Sequence, residues 1–130
     1  MIDHIGVEVN DLTASKEFYT KALEPIGIAL IVEYDEGVGY GSDLGKGPRP
    51  YFWLGARGRT PVSGAHVAFR VRTTEEVDAF HSAAVAAGGI DNGEPGPRPH
   101  YHPGYYGAFV FDPDGNNIEA VCHNYQPSET

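Results

Sequence analysis

The sequence predicts an α+β fold built from two βαβββ modules, and three observations predict it: a gapless internal duplication, strand alternation at the head of each copy, and helical periodicity straight after it. His4 to Val9, followed by a helical run ending at Gly27, recurs as His66 to Val71 followed by a run ending at Gly89. The offset never changes (66 − 4 = 71 − 9 = 89 − 27 = 62), and the pairs Phe18/Phe80 and Ala22/Ala84 obey it. A repeat at constant offset marks one supersecondary unit used twice.

In the first copy, Ile2 to Val9 alternates, with Ile5, Val7 and Val9 on one side and His4, Gly6 and Glu8 on the other. That is the period of a half-buried strand with His4 turned from the packing side. Asn10-Asp11 offers cap oxygens, and Ser15, Phe18, Tyr19, Ala22 and Ile26 recur at helical spacing until Pro25 and Gly27 end the run. Ile28 to Tyr34 predicts a second strand and Val38 to Ser42 a third. Gly45 to Pro50 reads as a loop before the short strand Tyr51 to Gly55.

The second copy opens with a strand over Gly64 to Val71. Thr73 and Glu76 then form a capping box for a helix whose buried stripe is Val77, Phe80, His81, Ala84 and Gly88. By the repeat, Tyr19 and His81 occupy corresponding positions and are expected to pack between the modules. Asn92 to Pro99 is rich enough in Gly and Pro to predict a loop. Gly107 to Phe111 is a strand, Asp112-Pro-Asp-Gly115 a turn, and Ile118 to Cys122 the last strand, with Glu119 facing away from the helices. The expected organisation is a single domain over 1–130: module one 1–57, a linker 58–63, module two 64–125 and a tail 126–130.

The chain has 130 residues and a formal charge of −9, with its few Lys and Arg scattered. No basic stripe exists for nucleic acid. The one cysteine, Cys122, reads as a small buried thiol in a reducing compartment. The N-terminus shows no secretory pattern and no apolar run is long enough to span a bilayer, so the expectation is a cytoplasmic protein without nucleic-acid or membrane partners.

His4, His66 and Glu119 each lie in a predicted strand and face the side away from the helices. Two neutral imidazoles and one carboxylate satisfy a divalent first-row ion and leave positions open for substrate. Taken singly, each residue also reads as an ordinary surface group; the duplication, by matching the two histidines, favours the metal. A second cluster, Arg98-Pro-His-Tyr-His-Pro-Gly-Tyr-Tyr106, admits two readings. Either it lines the site, with His100, His102 or Tyr105 as acid or base and Arg98 binding an anionic group, or it is a Pro-pinned loop packed on the rim.

Asp3-His-Ile-Gly-Val-Glu-Val-Asn-Asp-Leu12 with Phe18-Tyr19, Ala65-His-Val-Ala-Phe69, and Asp112-Pro-Asp-Gly-Asn-Asn-Ile-Glu-Ala-Val121 together resemble the vicinal oxygen chelate superfamily, also called the glyoxalase/bleomycin-resistance/dioxygenase superfamily. The resemblance spans essentially the whole chain. It implies that the paired modules form an eight-stranded cup holding a divalent metal (Zn, Fe(II), Mn or Ni) at His4, His66 and Glu119. It also implies a small-molecule substrate that chelates through oxygen, with lyase, isomerase, transferase or dioxygenase chemistry. The carboxylate that glyoxalase I carries on the last strand of its first module is missing: Tyr51-Phe-Trp-Leu-Gly55 places Trp53 nearest that position. Tyr51, Trp53, Arg49, Arg98, Tyr101 and Tyr106 are the expected substrate-binding residues.

The bleomycin-resistance branch offers a different class, a non-catalytic binder of a cationic planar ligand on Tyr51, Trp53, Tyr101, Tyr105 and Tyr106. A homodimer, with modules exchanged between chains or not, is compatible with the linker.

Overall fold

The computed structural model describes residues 1–127; of the expected tail, residues 128–130 lie outside the described residues. The described residues form eight strands and two main helices, in two βαβββ modules. They are β1 (Ile5–Glu8), α1 (Leu12–Leu23) with a 3-10 turn (Glu24–Ile26), β2 (Ala29–Tyr34), β3 (Gly37–Asp43), β4 (Pro48–Gly55), β5 (His66–Arg70), α2 (Thr74–Ala86), β6 (Ile90–Pro97), β7 (Tyr106–Phe111) and β8 (Asn117–Cys122).

The strands form two mixed sheets of identical topology, β1-β4-β3-β2 and β5-β8-β7-β6. In each, the first strand runs parallel to the last strand of its module: Ile5 lies opposite Phe52, and His66 opposite Asn117. Strands β1 and β5 therefore each form a sheet edge. No helix of the described residues is long and apolar enough to cross a membrane.

Both helices begin where the caps predict. Asp11 accepts from the Ala14 N–H at 3.1 Å, and Thr73 Oγ1 accepts from the Glu76 N–H at 3.2 Å. These caps satisfy donors that a helix start leaves open. Phe18, Tyr19, Ala22 and Leu23 of α1 and Val77, Phe80 and Ala84 of α2 are buried in one core with Val7, Tyr40, Phe52, Leu54, Phe69, Val110 and Ile118. The helices pack on each other. Each sheet thus gives one face to that core and keeps the other open, so a strand residue's parity decides whether it stabilises the fold or faces a ligand.

Parts of two expected loops are strands. The Gly and Pro content of Asn92 to Pro99 predicts a loop, yet β6 covers Ile90–Pro97, because it is an edge strand and its pairing to β7 shifts register at Asp91/Gly93 and Gly93/Gly96. Edges and bulges are where a strand tolerates proline. Strand β4 likewise begins at Pro48 rather than Tyr51. Its extension pairs with β3 across a shift at Tyr40/Gly41, and a Cβ on Gly41 would lie 1.8 Å from the Arg49 carbonyl oxygen. Only glycine allows that approach.

The turn before β8 docks the modules. Tyr19 of α1, fully buried, donates its hydroxyl to Asp112 Oδ2 at 2.5 Å. Asn116, also buried, donates to the Val62 carbonyl at 2.8 Å and accepts from the Ala65 N–H at 2.9 Å. Tyr19 thus packs between modules as expected. His81 does not: its ring N–H donates to Asp91 of its own module at 2.9 Å.

Candidate active site

On the open face of the second sheet, β8 presents Glu119 and β5 presents His66. The carboxylate belongs to a fully buried residue, and His66 Nε2 lies 2.7 Å from its Oε1. A carboxylate only accepts, so that nitrogen carries the ring proton. The other oxygen, Oε2, accepts from the Tyr105 hydroxyl. Burial and the bond to Glu119 push the Tyr105 hydroxyl well above its ordinary range. Gly107 of β7 makes room for this pair, since a Cβ there would sit 3.1 Å from Glu119 Oε2 and 3.2 Å from the Tyr105 ring.

Phe109 borders the same face, its ring centroid 6.2 Å from that of His66, with the Arg98 guanidinium 5.5 Å above the phenyl ring. Arg98 was expected to bind an anionic group. Its NH1 donates to the Gly96 carbonyl at 2.9 Å and its NH2 to the Glu94 carbonyl at 2.8 Å, so it braces the bulged edge strand and is held rigidly beside the site.

The loop leading into β7 is tied down by backbone bonds, Arg98 N–H to the Tyr105 carbonyl at 2.8 Å and Tyr105 N–H to the His102 carbonyl at 3.1 Å. His102 Nδ1 accepts from the Gly104 N–H, which leaves Nε2 to donate to His123 Nδ1 at 2.8 Å. Tyr105 meets both imidazoles edge-on. His100 is exposed and lies on Tyr101, 4.3 Å between ring centroids, and Tyr101 in turn lies edge-on to Tyr105. Of the three candidate acids and bases, Tyr105 alone among the described residues hydrogen-bonds to the His66–Glu119 pair.

His123 was missed by the sequence reading. Its signal was available: residues 119, 121 and 123 share a parity along and just beyond β8.

Tyr106, an expected substrate residue, is turned the other way. Its hydroxyl donates to Asp78 of α2 at 2.8 Å, because parity places it on the helix side of β7. Tyr51 shares a hydrogen bond of 2.9 Å with Ser42, and Arg49 is exposed on β4.

His4, the third expected ligand, precedes β1. Its Nδ1 donates to Asp3 at 2.6 Å, which leaves the Nε2 lone pair free. With His66 and Tyr51 it lines a cavity of about 570 Å³ that Glu119 does not line. No group of three or more His, Cys, Asp or Glu side chains among the described residues is gathered for a metal ion. One chain therefore joins His66 to Glu119, and among the described residues His4 shares a cavity with His66 without forming a three-residue group with the pair. The adjacent imidazole and carboxylate are donors of a type that suits a divalent ion.

A cavity of about 640 Å³ lies on the open face of the first sheet. Trp53 forms its floor, stacked on Tyr34 with 5° between ring planes. His4, Glu8, Arg57 and Arg59 also line it. Tyr34, Arg57 and Arg59 carried no site assignment from sequence, the arginines because a Gly-punctuated connection reads as a turn.

The sequence profile of the Glyoxalase/Bleomycin resistance protein/Dioxygenase superfamily matches residues 1–120. Among solved structures, the chain is similar to a glyoxalase/bleomycin resistance protein from Albidiferax ferrireducens, at 32% identity, TM-score 0.76, covering 96% of this chain and 98% of that one. It shares its fold with a glyoxalase-related enzyme from Fulvimarina pelagi (23% identity, TM-score 0.69, 94% and 87% covered). The same holds for lactoylglutathione lyase from Agrobacterium tumefaciens (18% identity, TM-score 0.66, 94% and 92% covered). No curated protein matches.

Proposed function

Because the chain belongs to the glyoxalase/bleomycin resistance protein/dioxygenase superfamily, we propose that it is a metal-dependent enzyme acting on a small oxygen-chelating substrate. The observation that carries this reading is the His66–Glu119 pair: an imidazole 2.7 Å from a buried carboxylate, on an open sheet face bordered by Phe109 and Tyr105. His66 and Glu119 would hold the ion, as zinc, iron(II), manganese or nickel. His4 would complete the set from a second copy of the chain.

Two features support the second copy. The strand bearing His66 and the strand that follows His4 are both sheet edges, and His4 already has Asp3 orienting its ring and Nε2 free. A homodimer in which module one of one copy faces module two of the other brings the three donors to each of two equivalent sites.

When bound, such an ion polarises vicinal oxygens of a substrate and stabilises the oxyanion that develops. The chain supplies the rest. Tyr105 holds a proton beside Glu119, Phe109 excludes water from one flank, and the fixed charge of Arg98 biases the face toward anions.

A non-catalytic binder would use the aromatic floor of Trp53 and Tyr34. Its cationic-ligand form is opposed by Arg57 and Arg59 in the same cavity.

Metal analysis of purified, untagged protein tests the reading. Near-stoichiometric metal, abolished in His66→Ala and Glu119→Gln with folding retained, supports it, whereas metal-free folded protein supports sequestration. Metal-reconstituted protein is then screened against catechols, hemithioacetals, epoxide antibiotics and 2-oxo acids.

A further inference from the structure

We propose that the cavity on the open face of the first sheet is a built site for planar anions, with the ring of the ligand on Trp53 and its charge between Arg57 and Arg59. As the substrate class of the enzyme this rests on the reading above; as a binding site it needs no metal.

The floor is flat because the sheet is paved with glycine. Gly6, Gly37 and Gly39 leave the open face without side chains beside Trp53, and a Cβ on Gly39 would lie 3.0 Å from two atoms of the indole. The indole is thereby laid along the sheet rather than stood upon it. The exposed Tyr34 stacks parallel to it within 5°, ring centroids 6.3 Å apart, so each ring holds the other in place. A planar ligand placed there gains stacking over a surface that is already ordered.

The wall is made by the connection between the modules. Glu8 Oε2 accepts from the N–H of Arg57 at 2.8 Å and of Arg59 at 2.9 Å, with Gly58 between them at φ 81°. The Val62 N–H donates to the Glu8 carbonyl at 2.9 Å. Glu8 thus folds the connection back over β1 and brings both arginines to the cavity. Arg57 NH2 lies 3.4 Å from where a Cβ on Gly37 would stand.

Among the described residues, neither guanidinium has a carboxylate in ion-pair reach. The cavity holds two arginine charges against the one of Glu8 (2 − 1 = +1) in a chain of net charge −9. A cation concentrated at one hollow of an acidic protein selects anions and repels the planar cations that the aromatics alone would take. The class is a small aromatic or conjugated carboxylate or phosphate.

Trp53 is the single tryptophan, so its emission reports on this cavity alone. Chelator-treated full chain is titrated with benzoate, phenyl phosphate, benzamide and benzylammonium. Saturable quenching by the two anions, at least about tenfold tighter than by benzamide and weakened about tenfold or more in Arg57→Gln/Arg59→Gln with unchanged circular dichroism, is the expected result. The Arg57→Lys/Arg59→Lys variant recovers part of the affinity.

Equal affinity for benzoate and benzamide, preference for benzylammonium, or undiminished binding in the double glutamine variant would overturn the proposal. So would loss of dimer on size exclusion in that variant without loss of anion binding, which would assign the arginines to a second copy. Since no metal is present, anion binding survives even if the metal reading fails, and metal retention survives if this one does.

Discussion

Tyr105 donates its hydroxyl to Glu119 Oε2 while His66 occupies the other oxygen, so a buried carboxylate on an open sheet face has both oxygens partnered by groups from different strands and loops. The arrangement gives each oxygen of this buried side chain a hydrogen-bond partner. Tyr105→Phe removes one of the two partners. The metal-free variant is expected to lose about 1–3 kcal/mol in urea denaturation, and saturating zinc to restore most of that loss. An equal loss with and without zinc would mean that Tyr105 serves packing alone.

Docking of the modules rests on the turn before β8. Asn116 makes its bonds to Val62, Ala65 and Asp112 from a fully buried position. Asn116→Ala strands the Ala65 N–H and the Val62 carbonyl and is expected to cost about 2–4 kcal/mol. Equilibrium denaturation followed by Trp53 fluorescence and by circular dichroism measures it. A change below about 0.5 kcal/mol, the range of ordinary surface substitutions, would contradict the role.

Stability is expected to fall at alkaline pH. Burial, with Asp112 beside it, raises the Tyr19 hydroxyl far above its ordinary value; burial raises Tyr40; and partial burial with the bond to Asp78 pushes Tyr106 up to about 12. Unfolded tyrosine ionises near about 10, so above that pH the unfolded chain binds fewer protons than the folded one. The stabilisation is complete below about 10 and is lost as pH rises through the folded values, by about 1.4 kcal/mol per pH unit for each tyrosine still protonated in the fold. Tyr19→Phe makes that decline shallower between pH 10 and 11 in urea titrations. Parallel declines in wild type and variant would contradict the assignment.

Gly39 holds the indole down. In Gly39→Ala the new methyl meets Pro50 Cβ at 2.9 Å and the Trp53 ring at 3.0 Å unless the side chains shift. The variant is expected to lose about 1–3 kcal/mol and to shift the emission maximum of Trp53. An unchanged spectrum would contradict the placement of the ring.

Much of this was legible in the sequence because its signals are local. The 62-residue repeat gave both modules, Asp11 and Thr73 marked the helix starts, and strand parity put Glu119 and His66 on open faces. Proline misled at β4 and β6, where bulges and a sheet edge remove the demand for an N–H that proline cannot meet. Parity also fixes a residue's side within its own sheet but not where two sheets stand relative to each other. His4 could therefore be assigned a face and not a neighbour. Arg57 and Arg59 were hidden for a related reason, since it is the distant Glu8 that folds their turn onto the sheet.

The most direct test mixes two variants that are each deficient in a different ligand, His4→Ala and Glu119→Gln, after dissociation and reassociation, and counts bound metal. If sites form between copies, each mixed dimer carries one site with His4 from one copy and His66 and Glu119 from the other. The account predicts one ion per mixed dimer where neither parent retains any. A mixture as metal-free as its parents, from a wild type that binds metal, would contradict it.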